Sequence, residues 1–188
     1  MKEDFTSEVV HELRSPLSAI QSGSELMLNQ TQHLEQDQKQ KLIEIINKQS
    51  KRMLSDINSL LDAAKLESGH FSIYQKPENI EMLLKESAAL FNSEAEKKHI
   101  SLTVDVEPNL PKGLFDVVRM SQVMNNLISN SLKYTPENGK IFITAKKYEN
   151  PQLPGTHTNP GIIVAIADNG IGIPAEKHAN LFSKFARI

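Results

Sequence analysis

His11 stands beside Glu12 in the run His11-Glu12-Leu13-Arg14-Ser15-Pro16-Leu17. An imidazole titrates near neutrality, so its neutral form is a usable nucleophile at physiological pH. A carboxylate next to it can orient the ring or take its proton. Val10 and Leu13 are apolar positions on either side that turn His11 outward. Pro16 lacks a backbone N–H and should loosen or bend a helix just below the histidine. The alternative is an ordinary histidine on a solvated helix face, one of six in the chain.

A second constellation is Asn126, Asn130 and Lys133, spaced by four and three residues so that they share one helix face. Neutral amide oxygens with one ammonium suit a triphosphate carrying Mg²⁺, which takes hard oxygen ligands and keeps phosphates and waters in its shell. Asparagine is a mediocre helix former, so Asn125, Asn126 and Asn130 together are a cost that asks for a reason. The plain alternative is a solvated polar face, with Val123, Leu127 and Ile128 pointing into a core. The third constellation is Asp168-Asn169-Gly170-Ile171-Gly172-Ile173-Pro174. A carboxylate there can accept a hydrogen bond from an amino group such as adenine's, and Gly170 and Gly172 permit close backbone approach and positive φ. Pro174 suits the first turn of a following helix. An ordinary strand-to-helix turn would look much the same.

The elements that carry these residues follow from periodicity. Val10, Leu13, Leu17, Ile20, Ser24 and Met27 form a heptad seam over 5–32. Asp37 offers an N-cap to a second helix whose seam is Ile46, Gln49, Met53, Ile57, Leu60 and Ala64, with Gly69 as its stop. Two such helices make an antiparallel hairpin, and pairing two hairpins into a four-helix homodimer buries more of each seam. Beyond Gly69 the spacing predicts a strand at Phe71 to Tyr74, a helix from Glu78 to Lys98 and a strand from Ile100 to Val106. A helix from Val118 to Tyr134, a strand from Lys140 to Tyr148, a loop over 150–161 and a strand from Ile162 to Ala167 follow. The fold class expected is α+β: an N-terminal helical hairpin, then an α/β sandwich with helices on one face of a mostly antiparallel sheet.

Composition excludes several functions. With 21 basic and 23 acidic residues, the net charge of −2 favours neither nucleic acid nor a membrane surface. Cysteine is absent, so disulfides and thiol chemistry are out. No apolar run approaches the about 20 residues a membrane helix takes, and no signal peptide is legible. This reads as a cytoplasmic chain, or the cytoplasmic portion of a membrane sensor. His11, His33, His70, His99, His157 and His178 are scattered without a short metal-ligand spacing.

The first run resembles the H box of sensor histidine kinases, usually Ser-His-Glu-Leu-Arg-Thr-Pro-Leu, with Val10 and Ser15 in place of the usual serine and threonine. The stretch from Asp116 to Pro136 resembles the N box, the Asp168 turn the first glycine box, and Leu181 to Arg187 the F box. Leu60 to Gly69 is similar to the end of the family's second dimerisation helix. The resemblance implies that His11 is the phosphoacceptor with Glu12 as its acid/base partner, and that Ser15 helps position water for dephosphorylating the partner. It also implies that Asn130 coordinates Mg²⁺, that Asn126 and Lys133 face the phosphates, that Asp168 reads the adenine amino group, and that Tyr134, Gly170 and Gly172 belong to the nucleotide site. The cofactors implied are ATP and Mg²⁺, and the partners a second copy and a response-regulator receiver domain. On this reading residues 1–69 are the dimerisation and phosphotransfer hairpin, and 70–188 an ATP-binding domain cut short after the F box.

The missing lid, second glycine box and closing strands then predict weak ATP binding and a partly exposed sheet. One rival is a non-catalytic phosphotransfer module phosphorylated in trans. Another is an ATPase of the wider group, with gyrase and the heat-shock chaperone of the same fold, using ATP for conformational switching. Such an ATPase has no need of His11.

Overall fold

A computed structural model of the chain describes residues 2–30, 34–148 and 161–181; the side chains of residues 2–12, 30 and 180 fall outside that description. The chain divides into two compact units, Met1–Ser72 and Ile73–Ile188.

The first unit is a pair of packed helices, α1 (Lys2–Gln30) and α2 (Gln36–Glu67). Helix α1 runs on through Pro16, which is buried. Gly23 is buried as well, because a Cβ there would lie 3.0 Å from Cγ1 of Ile46 on α2. Pro16 and Gly23 are thus the buried residues of α1 among those whose side chains are described, with Ser24 only partly buried and its hydroxyl donating to the Ile20 carbonyl at 2.8 Å. The N-cap of α2 is Glu35, not Asp37: the Glu35 N–H donates to Oε1 of Gln38 at 3.0 Å in a capping box. Asp37 lies in the first turn, where a negative charge meets the positive end of the helix dipole. At the other end Gly69 takes a φ of 72°, and the His70 N–H closes onto the Lys65 carbonyl at 2.9 Å.

The second unit sets helices against a mixed sheet. Strand β1 (Lys76–Glu78) precedes α3 (Ile80–Ala89), α4 (Asn92–Lys97), β2 (Ser101–Val106) and β3 (Gly113–Phe115). Helix α5 (Val117–Tyr134), β4 (Lys140–Tyr148), β5 (Gly161–Asp168) and a 3-10 stretch (Ala175–Asn180) complete it. The main sheet has the order β2-β4-β5, parallel between β2 and β4 and antiparallel between β4 and β5. Of the three pairings among the described residues two are antiparallel, as expected of a mostly antiparallel fold. The β2–β4 pair is parallel because α5 lies in the connection and returns the chain in the same direction.

Three local readings also change. Phe71 to Tyr74 is not a strand; the pairing falls at β1, antiparallel to β3, which periodicity did not reveal. The helix expected over 78–98 is two, broken at Leu90–Phe91. Pro174 precedes a short 3-10 stretch rather than opening an α-helix.

The core lies between α3, α5 and the inner face of the sheet. Leu84, Ile128, Leu132, Ile141 and Ile143 are its largest fully buried side chains among the described residues. Alternation along β4 puts Ile141, Ile143 and Ala145 inward and leaves Lys140, Phe142 and Lys146 outside. Each fully buried leucine or isoleucine contributes about 1.5–3 kcal/mol of transfer free energy, so α5 is anchored by its apolar stripe and its polar face is fixed in consequence.

Candidate nucleotide site

Helix α5 begins at an N-cap that does more than cap. Asp116 Oδ1 accepts from the backbone N–H groups of Val118 (3.0 Å) and Arg119 (3.2 Å). Its Oδ2 accepts from the Tyr74 N–H at 2.9 Å. Those N–H groups, Tyr74 first and Arg119 next, hold the Asp116 carboxyl below its usual range. The beginning of the second unit is thereby tied to the beginning of α5.

Along α5, Met124, Ile128, Ser131 and Leu132 are buried, while Asn126, Asn130 and Lys133 are all exposed on the other side. Val123 and Leu127 do not enter the core as expected: they are 48% and 44% exposed, because the core stripe runs through 124, 128, 131 and 132 and leaves them flanking the asparagines. Lys133 leans along the surface, with Nζ donating to the Tyr134 hydroxyl at 2.9 Å and lying 4.7 Å from that ring's centroid.

Asp168 ends β5 and is joined to α5. Its Oδ2 accepts from the Ser131 hydroxyl at 2.9 Å, and its Oδ1 accepts from the Gly170 N–H at 3.0 Å. Gly170 is required by space: a Cβ would fall 2.6 Å from the Tyr134 carbonyl oxygen and 2.8 Å from Asp168 Oδ1. The Ile171 N–H reaches the same Tyr134 carbonyl at 3.3 Å. Asn169 pins the turn to β4, accepting from the Lys140 N–H at 2.7 Å. Gly172 adopts a φ of 70°. Asn126, Asn130, Lys133, Tyr134, Asp168, Gly170 and Gly172 therefore belong to one helix and one turn bonded to it.

Ser131 was not singled out from the residues, although a small polar residue on the buried side of a polar helix is the signal that could have found it. Thr135 Oγ1 and Asn125 Oδ1 are buried with no partner among the described residues.

The donor set fits a Mg²⁺ that arrives with a nucleotide. Asn130 and Asn126 offer exposed amide oxygens, and no group of three or more His, Asp or Glu that could hold a resident metal occurs among the described residues.

His11 and Glu12 lie within α1, but their side chains are outside the described residues. Ser15 is exposed. Of the expected F box only Leu181 is described. Among the described residues no helix is long and apolar enough to cross a membrane.

Residues 1–69 match the model of the His Kinase A (phospho-acceptor) domain. Residues 115–187 match that of the histidine kinase-, DNA gyrase B-, and HSP90-like ATPase. Drug sensory protein A of Synechocystis sp. is 34% identical over 189 residues, covering all of this chain and 28% of that protein. The signal transduction histidine-protein kinase BarA of Escherichia coli is 31% identical over 186 residues, covering 98% of this chain and 19% of that protein. The chain thus spans less than a third of the curated relatives it matches.

Among solved structures, full-length ShkA in complex with AMPPNP superposes with a TM-score of 0.64 at 25% identity, covering 98% of this chain and 37% of that one. Acinetobacter baumannii histidine kinase AdeS, at 19% identity and a TM-score of 0.68 over 92% of this chain and 78% of that one, shares the fold. Histidine kinase ThkA in complex with the response regulator TrrA gives a TM-score of 0.64 at 23% identity, over 98% of this chain and 50% of that one.

Proposed function

The chain belongs to the histidine kinase family, and from that premise we propose that it moves the γ-phosphoryl group of MgATP to His11 and then to a response-regulator aspartate. The observation that carries this reading is the union of the asparagine face of α5 with the Asp168 turn through the Ser131–Asp168 hydrogen bond.

In the first step a ring nitrogen of His11 attacks the γ-phosphorus, the bond to the β–γ bridging oxygen breaks, and ADP leaves. Glu12 takes the proton from the imidazole. In the second step a carboxylate oxygen of the regulator's aspartate displaces the histidine nitrogen. Catalysis of such a transfer is mostly positioning and charge neutralisation. Asn130 would hold Mg²⁺ through its amide oxygen. Asn126 and Lys133 would face the phosphates, with Tyr134 beside them in the nucleotide site. Asp168 would accept from the amino group of adenine, while Gly170 and Gly172 would allow close approach of the backbone. Ser15, exposed one turn past His11, orients water for removing phosphate from the regulator.

Residues 1–69 serve as the phosphoacceptor hairpin and 70–188 as the ATP-binding domain. The hairpin works as a homodimer: Leu17, Ile43, Leu54 and Leu61 are each 48–61% exposed in the single chain, which supports a second copy completing a four-helix bundle. A reaction fed by ATP and read by a response regulator places this segment in the cytoplasm.

The test is acid-labile phosphate on His11 after incubation with MgATP, located by mass spectrometry at neutral pH. Label abolished by both His11→Gln and Asn130→Asp is the expected result. Label that survives His11→Gln would overturn the assignment of the acceptor. If no label forms with ATP alone, an intact kinase of the same type supplied in trans separates a passive phosphotransfer module from a chain in which His11 accepts nothing.

A further inference from the structure

We propose that Ser131 is the positioning residue that makes Asp168 selective for an amino group at the 6-position of a purine nucleotide. The inference rests on the reading of Asp168 as the base-contacting acceptor and adds to it a residue that no motif assigns.

Serines inside helices usually satisfy their hydroxyl by donating to a carbonyl one turn back. Ser24, Ser50 and Ser59 do so here, reaching the carbonyls of Ile20, Ile46 and Ser55 at 2.8, 2.8 and 3.0 Å. Ser131 departs from that habit. It is 7% exposed, and its hydroxyl donates to Asp168 Oδ2, from a residue 37 positions away in the chain. The Gly170 N–H holds the other carboxylate oxygen. Asp168 itself is exposed at the end of a strand, so without these two donors its carboxylate would turn freely.

Two consequences follow. The rotational freedom that an exposed aspartate loses on gripping a ligand is already removed before the ligand arrives. The single proton of Ser131 is also committed. A serine hydroxyl can donate or accept, and a free one would accommodate either an amino group or a carbonyl on the incoming base. With its proton on Asp168, the pair offers only lone pairs. A 6-amino purine meets acceptors, a 6-oxo purine meets oxygen against oxygen, and a purine bearing hydrogen at that position gains nothing.

The experiment is equilibrium binding of MgATP and of the Mg²⁺ complex of purine riboside triphosphate, which lacks the 6-amino group, to the full chain. Wild type, Ser131→Ala and Asp168→Ala are compared, with melting followed alongside. Ser131→Ala is expected to weaken ATP roughly three- to tenfold, the scale of one hydrogen bond, and to leave the deamino nucleotide within about twofold. The preference for ATP therefore narrows. A purely structural serine would weaken both nucleotides in parallel, and that result, or an unchanged preference, overturns the proposal. Asp168→Ala, which leaves no acceptor at that position, keeps the two failures apart. If the preference vanishes in Asp168→Ala but survives Ser131→Ala, the serine has no such role and Asp168 keeps its own. A preference that survives Asp168→Ala, or a wild-type chain that binds neither nucleotide, overturns the reading of Asp168 and this proposal with it.

Discussion

The two units bury their apolar residues on different terms. Among the described residues the five largest fully buried side chains are all in the second unit, packed between α3, α5 and β4. Helix α2, 32 residues long, contains no buried residue at all, and Leu17 and Leu28 on α1 and Leu54, Leu61 and Leu66 on α2 remain half exposed or more. A pair of helices has one shared seam, so each presents a further apolar stripe that its partner cannot reach. A sheet covered by helices closes its inner face within one chain. The difference is that the second unit closes an apolar core behind the asparagine face within one chain, whereas the hairpin helices leave apolar stripes uncovered in the single chain.

Cutting the closed core gives the largest expected effect. Ile128→Ala removes a fully buried side chain directly behind the asparagine face, and should destabilise the second unit by about 2–5 kcal/mol. Chemical denaturation followed by circular dichroism would measure it. A loss below about 1 kcal/mol would mean that the site's helix is not anchored as described. Next comes Gly170→Ala. The added methyl meets the Tyr134 carbonyl, so the turn must move away from α5 and carry Asp168 with it. About 1–3 kcal/mol of stability and roughly tenfold in ATP affinity should go together. Affinity retained alongside lost stability would show that the turn does not touch nucleotide.

Smaller again is Leu54→Ala on α2, where the side chain is 61% exposed in the single chain. Within one hairpin the change should cost no more than about 0.5 kcal/mol, but it should weaken association of two copies by about 1–3 kcal/mol, the value of burying a leucine. Sedimentation equilibrium separates these, and melting should fall on dilution. Association indifferent to Leu54→Ala would remove this seam from the dimer.

The comparison also explains what could be read from residues alone. Strict alternation in Ile100-Ser101-Leu102-Thr103-Val104-Asp105-Val106 and the 3.6-residue stripe of α5 are local patterns created by burial on one face, and they placed the strand β2 and the helix correctly. The Gly69 stop was legible because a positive φ selects glycine. What escaped depends on partners distant in the chain. Strand β3 is three residues long and exists through pairing with β1, so it has no periodicity of its own. Tyr74 lies in a stretch that alternates like a strand, yet its N–H goes to the Asp116 carboxylate. Val123 and Leu127 look like core residues by type and flank the polar face by geometry. In the candidate site, Asn126, Asn130, Lys133 and the Asp168 turn were legible as motifs. Ser131 was not, because its importance lies in a bond across 37 residues.

The smallest expected effect tests the Asp116 clasp that joins Tyr74 to the start of α5. The N–H groups of Tyr74, Arg119 and Val118, with the Arg119 charge, bind the carboxylate form, so its pKa in the folded chain lies below the ordinary 3.8. A depressed carboxylate stabilises the fold fully above its unfolded value, and that stabilisation is lost as the pH falls toward the folded value. The unfolding free energies of wild type and Asp116→Asn should therefore differ by a constant amount from neutral pH down to about pH 4, and converge below it. Asparagine keeps an oxygen for the helix N–H groups but carries no charge, so what converges is the charged part of the clasp alone. A difference that does not change with pH would assign the clasp to hydrogen-bond geometry rather than to charge. No difference at any pH would mean that the Asp116 side chain does not tie the start of the second unit to α5.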